Sequence, residues 1–394
     1  MNLNFWPKMY YSGGGGGGGG QGGGGAGGGG AAGGGGAAGG GAGGYGGGAG
    51  AGGGVGTGAG GAGEQPPEEP TPVGAFRFNT DTSKLEYYDG NQWVNVTTDS
   101  AEQNTGGTRG IQAAGSTSQI EFINVDSPGD TISFGDLYAS INGMGVASSR
   151  TRMLFAGRYS GTTEYNSIHF ITVASQGDAE EFGDMTIARG RLTGGASSTR
   201  ALFAGRGKDP ATVSNVIDFV TIASTGDATD FGDLTVGRSR LGAFGSPTRL
   251  CVCGGYSYPG NLNTIDYVTI ATQGNAADFG DFSTDIHWNA SACNAVRGLS
   301  MGDSPTSNIV EFVTIPTLGN AQDFGDLTVS VRGGYGASSK TRAVKIAGYN
   351  QPAYVTTIDY AQIASTGDFK DFGDAPARAF GASGVASNGH GGLG

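Results

Sequence analysis

Residues 216–235 read VIDFVTIASTGDATDFGDLT, and close variants of this stretch recur along most of the chain beyond residue 105. Its tripeptide Phe-Gly-Asp occurs six times, at intervals of 45 to 49 residues. The tripeptides begin at Phe134, Phe182, Phe231, Phe279, Phe324 and Phe372. A steady period of this length indicates a repeat architecture and lies in the range typical of β-propellers.

Each repeat is predicted to contain four strands. In the repeat that holds Phe279 they are approximately LGAFGS, TRLCVCGG, NTIDYVTIA and AADFGDF. The third strand of the preceding repeat is apolar on both sides, with Ile217 and Phe219 on one side and Val216 and Val220 on the other. This pattern is typical of a strand buried on both faces, as the middle strands of stacked blades are.

The two ends of the repeat region complement each other. The first repeat begins at TRGIQAAG, which matches a second strand and has no first strand before it. After the last Phe-Gly-Asp the chain adds ARAFGASGVAS, which matches a first strand. The sequence therefore predicts that residues 105–394 form an all-β, six-bladed propeller. We expect the C-terminal first strand to close the ring, because closure removes exposed sheet edges.

The repeat resembles the Kelch pattern, in which the second strand ends in two glycines and the third carries an aromatic residue. Gly254 and Gly255 keep the doublet, whereas most other repeats have Ala-Gly. The Kelch tryptophan of the fourth strand is missing, and the phenylalanine of Phe-Gly-Asp is expected in its place. The resemblance implies a Kelch-like propeller, although the propeller prediction itself depends on the period.

Residues 1–63 contain two segments of unusual composition. Residues 1–12 hold Phe5, Trp6, Tyr10 and Tyr11, which predict an aromatic assembly anchor for a partner protein; the alternative is a disordered end. Residues 13–63 are nearly all Gly, so they predict a flexible tether. If the chain oligomerises, a packed bundle of polyglycine II helices becomes the favoured structure.

A proline-rich spacer (64–73) and a small β-meander (74–98) precede the repeats. The meander is predicted to have strands at Ala75–Asn79, Lys84–Tyr88 and Gln92–Thr97, with an Asp89-Gly90 hairpin turn. Three strands are marginal alone, so we expect them to pack on copies of themselves or on the next domain. The segment resembles meanders in phage tail-fibre and virion structural proteins.

Charge and composition exclude several classes of protein. The formal net charge is −12 and no Lys/Arg cluster is visible, so a nucleic-acid partner is not expected. No apolar run approaches the roughly 20 residues that cross a bilayer, and the start does not resemble a signal peptide. Membrane insertion is therefore not expected. The three cysteines predict reduced, buried thiols, as in a protein assembled in a cytoplasm.

Residues that recur in every repeat predict structural roles. The aspartates of Phe-Gly-Asp are expected to accept backbone hydrogen bonds in turns. A second recurring set is expected to pair with them, a central anion site being the alternative; its members are Arg109, Arg152, Arg200, Arg249, Arg297 and Arg342. No metal-ligand spacing, nucleophile elbow or phosphate loop stands in a believable context, so we expect no cofactor, no metal and no enzyme activity.

The connections between the second and third strands vary in length and chemistry while the strands keep their pattern. Variable loops on a rigid scaffold are typical of a recognition surface. Tyrosine suits sugars and protein epitopes alike. The predicted binding residues are Tyr159, Tyr165, Lys208, Asp209, Tyr256, Tyr258, Asn261, Tyr349, Gln351 and Tyr354.

The meander and the repeats together resemble predicted structural proteins of marine bacteriophages. The resemblance implies a virion location and a tail-fibre-like adhesin whose propeller binds a host surface glycan or protein. The N-terminus would contact other tail or capsid proteins, and several copies would bind together by avidity. The alternatives are a capsid or tail decoration protein that binds only virion proteins and, as a third, a surface-polysaccharide depolymerase.

Overall fold

The computed structural model describes residues 71–79, 84–95, 108–113, 117–140, 142–207, 212–376, 382–391 and 393. These residues form several small antiparallel sheets and no helix, which confirms the all-β prediction. In this part of the chain no helix is long and apolar enough to span a membrane. The chain separates into two compact units, residues 1–99 and residues 100–394.

The first unit contains a three-stranded antiparallel sheet with the strand order β1-β2-β3. Its strands are β1 (Phe76–Asn79), β2 (Lys84–Tyr88) and β3 (Trp93–Asn95). The Asp89 carboxylate accepts the backbone N–H groups of Asn91 and Gln92, each at 2.8 Å, which fixes the turn between β2 and β3. One face of the sheet is apolar and exposed; it carries Phe76, Phe78, Leu85 and Tyr87.

The described residues of the second unit form six sheets in chain order. Sheet I has β4 (Arg109–Ala113), β5 (Gln119–Asn124) and β6 (Ile132–Asp136). Sheet II has β7 (Met144–Ser148), β8 (Arg152–Ser160), β9 (Thr163–Thr172) and β10 (Glu180–Asp184). Sheet III has β11 (Thr193–Ala196), β12 (Arg200–Arg206), β13 (Ser214–Thr221) and β14 (Thr229–Asp233).

The later sheets repeat this meander. Sheet IV has β15 (Gly242–Gly245), β16 (Arg249–Cys253), β17 (Tyr256–Ser257), β18 (Gly260–Thr269) and β19 (Ala277–Ile286). Sheet V has β20 (Ala290–Cys293), β21 (Arg297–Met301), β22 (Ser307–Thr314) and β23 (Gln322–Val331). Sheet VI has β24 (Tyr335–Ser338), β25 (Arg342–Asn350), β26 (Ala353–Gln362) and β27 (Lys370–Asp374), and β28 (Ala382–Ser383) follows.

The first strand of each complete sheet is fully buried and made mostly of small residues. Small residues are needed because neighbouring first strands approach backbone to backbone. A Cβ placed on Gly194 of β11, for example, would lie 2.6 Å from the carbonyl oxygen of Val146 in β7. Larger side chains fill the space between sheets further out, as where Phe231 of sheet III packs in one cluster with Val252 and Val268 of sheet IV.

The Phe-Gly-Asp tripeptides join each sheet to the next. Gly177 N donates to Phe134 O at 3.0 Å, and Ala179 N donates to Asp136 O at 2.9 Å. In return, Asp136 N donates to Oδ1 of Asp178 at 2.9 Å. The side chain that accepts a backbone N–H here therefore belongs to Asp178, which follows Gly177 in the next repeat. The prediction that the Phe-Gly-Asp aspartate is this acceptor is wrong at this junction.

The same three bonds recur at five further junctions. They join 182–184 to Gly226-Asp227, 231–233 to Gly274-Asn275, 279–281 to Gly319-Asn320, 324–326 to Gly367-Asp368, and 372–374 to Gly129-Asp130. The last of these joins sheet VI to sheet I.

The recurring arginines that begin each second strand form a second set of links between sheets. Arg152 Nη1 donates to Ile222 O at 3.0 Å, while its guanidinium lies over the ring of Phe170, 4.6 Å from the centroid. The other five arginines donate to carbonyl oxygens in the same way. The expected pairing with the Phe-Gly-Asp aspartates is wrong, because backbone carbonyls of the following sheet satisfy these guanidiniums.

The C-terminal segment lies among the first strands. β28 runs parallel to β7, with Ala382 opposite Met144. Farther along, Ile111 N donates to Ala386 O at 2.8 Å, antiparallel to β4. This segment thus takes the place beside β4 that a first strand has in the other sheets. Residues 377–381 of the predicted strand lie outside the described residues.

Candidate ligand-binding face

Two kinds of connection share one side of the sheets in the second unit, which we call the upper side. They are the links between second and third strands and the links from a fourth strand to the next first strand. Tyr159 N donates to Asn142 O at 3.1 Å, and Tyr349 and Arg332 exchange two backbone bonds. Tyr256 and Ser239 do the same. These bonds hold the tyrosine-bearing loops against the neighbouring connections.

A chain of backbone hydrogen bonds runs from sheet to sheet along the upper side. Arg191 N donates to Gly143 O at 2.7 Å, Arg240 N to Arg191 O at 2.9 Å, and Trp288 N to Arg240 O at 3.0 Å. Gly333 N completes it by donating to Trp288 O at 2.6 Å. Arg191, Arg240 and Trp288 have φ values of 55°, 59° and 61°. Left-handed backbone costs a residue with a Cβ about 1–2 kcal/mol, so the packing there outweighs a local preference.

Four arginines of the upper side lie over aromatic rings. Arg191 lies over Tyr159 at 4.8 Å, and Arg332 over Tyr349 at 5.0 Å. Arg240 lies 5.1 Å from the ring centroid of Tyr256 and 5.6 Å from that of Trp288. Arg158 lies over Tyr165 at 3.4 Å and over Tyr138 at 5.1 Å. Each stack orients a guanidinium and shields one of its faces from water.

The charges at the middle of the upper side have the same sign. Burial lowers the pKa of Arg240, and the nearby positive charges of Arg191 and Arg332 lower it further. Burial also lowers the pKa of His287 to about 4, and the charges of Arg240 and Arg332 act in the same direction. His287 is therefore neutral near pH 7. We call Arg191, Arg240, Arg332, His287 and Trp288 the upper cluster.

Two carboxyl groups border the upper cluster. Asp303 accepts the backbone N–H groups of His287 at 2.8 Å and Ser304 at 2.5 Å. Burial raises the pKa of Asp303 to about 6, so this carboxyl group is mostly ionised at pH 7 and gains a proton in mildly acidic solution. Glu164 is paired with Arg206, with Oε2 2.7 Å from Nη2. The second carboxylate is thus neutralised by an arginine outside the cluster.

The structure brings together part of the predicted binding set. Tyr159, Tyr256 and Tyr349 contact the arginines of the upper cluster. Tyr354 packs on Tyr349 with ring centroids 5.1 Å apart, and Asn261 lies opposite Tyr256 in the sheet register.

The other predicted residues lie farther out or outside the description. Tyr165 belongs to the Arg158 stack, whereas Tyr258 is 73 % exposed and Gln351 is exposed at a loop tip. Lys208 and Asp209 lie outside the described residues, and so do the predicted anchor residues Phe5, Trp6, Tyr10 and Tyr11.

The arginines, His287 and Trp288 were not among the predicted site residues. The sequence does contain a pattern that could have identified them, because RGR at 189–191, RSR at 238–240 and HW at 287–288 each lie just before a first strand. Their first arginines are structural, since Arg189 and Arg238 are buried and pair with Asp218 at 2.7 Å and Asp266 at 3.1 Å. In these two Arg-x-Arg motifs only the second arginine, Arg191 or Arg240, belongs to the upper cluster.

The central anion site considered for the second-strand arginines is wrong. Those residues bond to carbonyl groups near the turns between first and second strands, which lie at the opposite ends of the strands from the upper side. Among the described residues, no group of three or more His, Cys, Asp and Glu side chains is arranged to hold a metal ion. The three cysteines are free and buried, which confirms that part of the sequence prediction.

No protein-family model matches this sequence, and no curated protein shows significant similarity to it.

Proposed function

We propose that residues 105–394 form a closed six-bladed propeller. Three contacts between the last and first repeats support it: Gly129 N to Phe372 O, Arg342 Nη1 to Val125 O, and Ile111 N to Ala386 O. The first two are the same bonds that consecutive sheets make with each other. The third supplies the strand that sheet I lacks.

We propose further that the propeller is the receptor-binding head of a phage tail-fibre-like adhesin, located in the virion and acting without catalysis. The observation that carries the proposal is the upper side, where aromatic and polar side chains of variable loops are fixed on a rigid sheet framework. Rigid aromatic side chains lose little entropy on binding and suit a surface glycan or protein receptor.

The meander supports a structural role for the N-terminal part. Phe76 and Phe78 are 51 % and 61 % exposed on one apolar sheet face, a surface that favours contact with other copies or other virion proteins. The same face also favours the second candidate, a decoration protein that binds only virion components. Cell binding separates the two candidates.

Adsorption of the labelled full-length chain to a panel of bacterial cells tests the adhesin proposal. Tyr258→Ala combined with Tyr354→Ala removes exposed upper-side rings, since these side chains are 73 % and 44 % exposed. Val296→Ser combined with Leu318→Ser is the matched control, because both side chains are exposed on the opposite side. We expect only the tyrosine pair to reduce adsorption.

Equal adsorption by both double variants would place the receptor site elsewhere. Absence of adsorption to any cell, with binding to virions retained, would favour the decoration protein. Shortened chains after incubation with envelope polysaccharide would contradict the non-catalytic proposal and favour a depolymerase.

A further inference from the structure

We propose that the upper cluster binds the negatively charged group of an acidic saccharide. Arg191, Arg240 and Arg332 would bind the charged group, while Trp288 and the flanking tyrosines would contact the sugar ring. This inference rests on the proposed function, in which the upper side binds a surface receptor, and it names the chemical class of that receptor.

The first argument is the concentration of like charge in an acidic protein. The chain has a net charge of −12, yet three arginines from three different connections lie close enough for the charges of two to lower the pKa of the third. Like charges at short range oppose folding, and an anion placed among them removes that repulsion. A site that gathers three arginines and stacks them on aromatic rings is suited to an anionic ligand.

The second argument is the geometry of the donors. Guanidinium groups present planar N–H forks that match carboxylate, sulfate and phosphate oxygens. The hydrogen-bonded backbone chain through Arg191, Arg240 and Trp288 fixes the positions of their Cα atoms. Stacking on Tyr159 and Tyr256 fixes the orientation of the Arg191 and Arg240 side chains. Nε of Arg240 and Nδ1 of His287 are buried and make no hydrogen bond to the described residues. These two atoms remain available to a ligand.

The third argument separates a saccharide from other anions. Trp288, Tyr159, Tyr256 and Tyr349 surround the guanidiniums with aromatic surface, which packs on the apolar face of a pyranose ring. A nucleic acid needs a stripe of cations that follows its phosphates, whereas this cluster is compact and the rest of the protein is acidic. An acidic peptide has carboxylates but no sugar ring, so poly-glutamate distinguishes it from an acidic saccharide.

Binding of the full-length chain to matched polysaccharides tests the inference. Polygalacturonate is compared with its fully methyl-esterified form, and dextran sulfate with dextran, so that the members of each pair share a sugar backbone and only one of them is charged. Poly-glutamate presents carboxylates without sugar rings. We expect binding to at least one acidic polysaccharide to exceed binding to its neutral partner by about tenfold or more, and to weaken as salt is added.

Three variants locate the site. Arg240→Gln removes the central charge, Arg240→Lys keeps the charge without the fork, and Trp288→Leu removes the aromatic plane. Lys370→Gln is the control for charge alone, because Lys370 is exposed on β27. We expect Arg240→Gln to abolish binding, Arg240→Lys and Trp288→Leu to weaken it, and Lys370→Gln to leave it unchanged. Unchanged melting temperatures show that each variant is folded.

The outcomes separate this inference from the proposed function. Cell adsorption that persists in Arg240→Gln and is not competed by acidic polysaccharide would overturn the inference and leave the adhesin standing. Equal binding to poly-glutamate would overturn the saccharide assignment. Binding to acidic polysaccharide that is lost in Arg240→Gln, with no adsorption to cells, would support the site while contradicting the adhesin.

Discussion

Arg342 Nη1 donates to the carbonyl oxygen of Val125 at 3.1 Å, across 217 residues of sequence. Arg200 makes the equivalent bond to Ile270 at 3.1 Å, across 70 residues. The two arginines occupy the same position in their repeats and lie over equivalent rings, Tyr360 and Phe219, both at 5.0 Å. A link between neighbouring sheets is thus reproduced between sheet VI and sheet I.

This equivalence predicts similar stability costs for Arg342→Gln and Arg200→Gln. Arg342 donates to one carbonyl oxygen and Arg200 to two, and each also makes a cation–π contact, so we expect each substitution to lower the free energy of unfolding by about 1–3 kcal/mol. Urea unfolding measures both values, and Lys370→Gln controls for loss of an exposed charge. A normal midpoint for Arg342→Gln beside a lowered one for Arg200→Gln would contradict the junction between the first and last repeats.

Gly373 provides a steric test of the same junction. A Cβ there would lie 2.6 Å from the carbonyl oxygen of Gly129, at a φ of +154° that disfavours side chains. A Cβ on Gly129 itself would meet nothing within 4 Å. We therefore expect Gly373→Ala to lower the melting temperature by several degrees and Gly129→Ala to have little effect. Similar melting temperatures for the two variants would show that the two glycines do not face each other.

Buried histidines predict a loss of stability in acid. Burial lowers the pKa of His390 to about 4, whereas an unfolded histidine titrates near 6.5. Between these values the unfolded chain binds a proton that the native state does not. Stability is therefore highest above about pH 6.5 and falls as the pH is lowered toward 4, by up to about 1.4 kcal/mol per pH unit for this group.

His390→Gln should flatten this dependence. His169 and His287 shift in the same direction, while the raised pKa of Asp303 acts in the opposite sense, so the difference between variant and parent isolates His390. Urea midpoints at pH 7, 6, 5 and 4 measure it. His169→Gln is a second variant, at a position less deeply buried than His390, should the first not fold. Parallel profiles for parent and both variants would contradict the assignment.

The repeat period predicted the all-β class, because spacing and apolar alternation depend on local sequence. The period did not predict the hydrogen-bond partners of the recurring polar residues. Arg152 bonds to Ile222 O, and a backbone carbonyl has no signature in the sequence. A Gly-Asp or Gly-Asn pair such as Gly177-Asp178 does recur with each Phe-Gly-Asp, and this correlation could have identified both halves of the junction.

Sequence analysis predicted the tyrosines of the candidate site but not its arginines. Variation between loops pointed to Tyr159, Tyr256 and Tyr349, which the structure places against the arginines of the upper cluster. The arginines themselves lie in connections whose motifs also hold buried structural arginines. Arg189 is fully buried against Asp218, and Arg191, two residues later, lies over Tyr159. Composition alone does not distinguish them.

The pairing of Arg109 with Asn388, 279 residues apart, has a consequence for biosynthesis. β4 leaves the ribosome before the other strands of the second unit, and Asn388, in the segment that covers its free edge, follows Arg109 by 279 residues. While these residues are translated, the nascent chain carries an uncovered strand edge, which can pair with other chains. We expect aggregation during expression to fall when fewer chains are synthesised at once or when chaperones are supplied, more than the stability of the finished fold suggests.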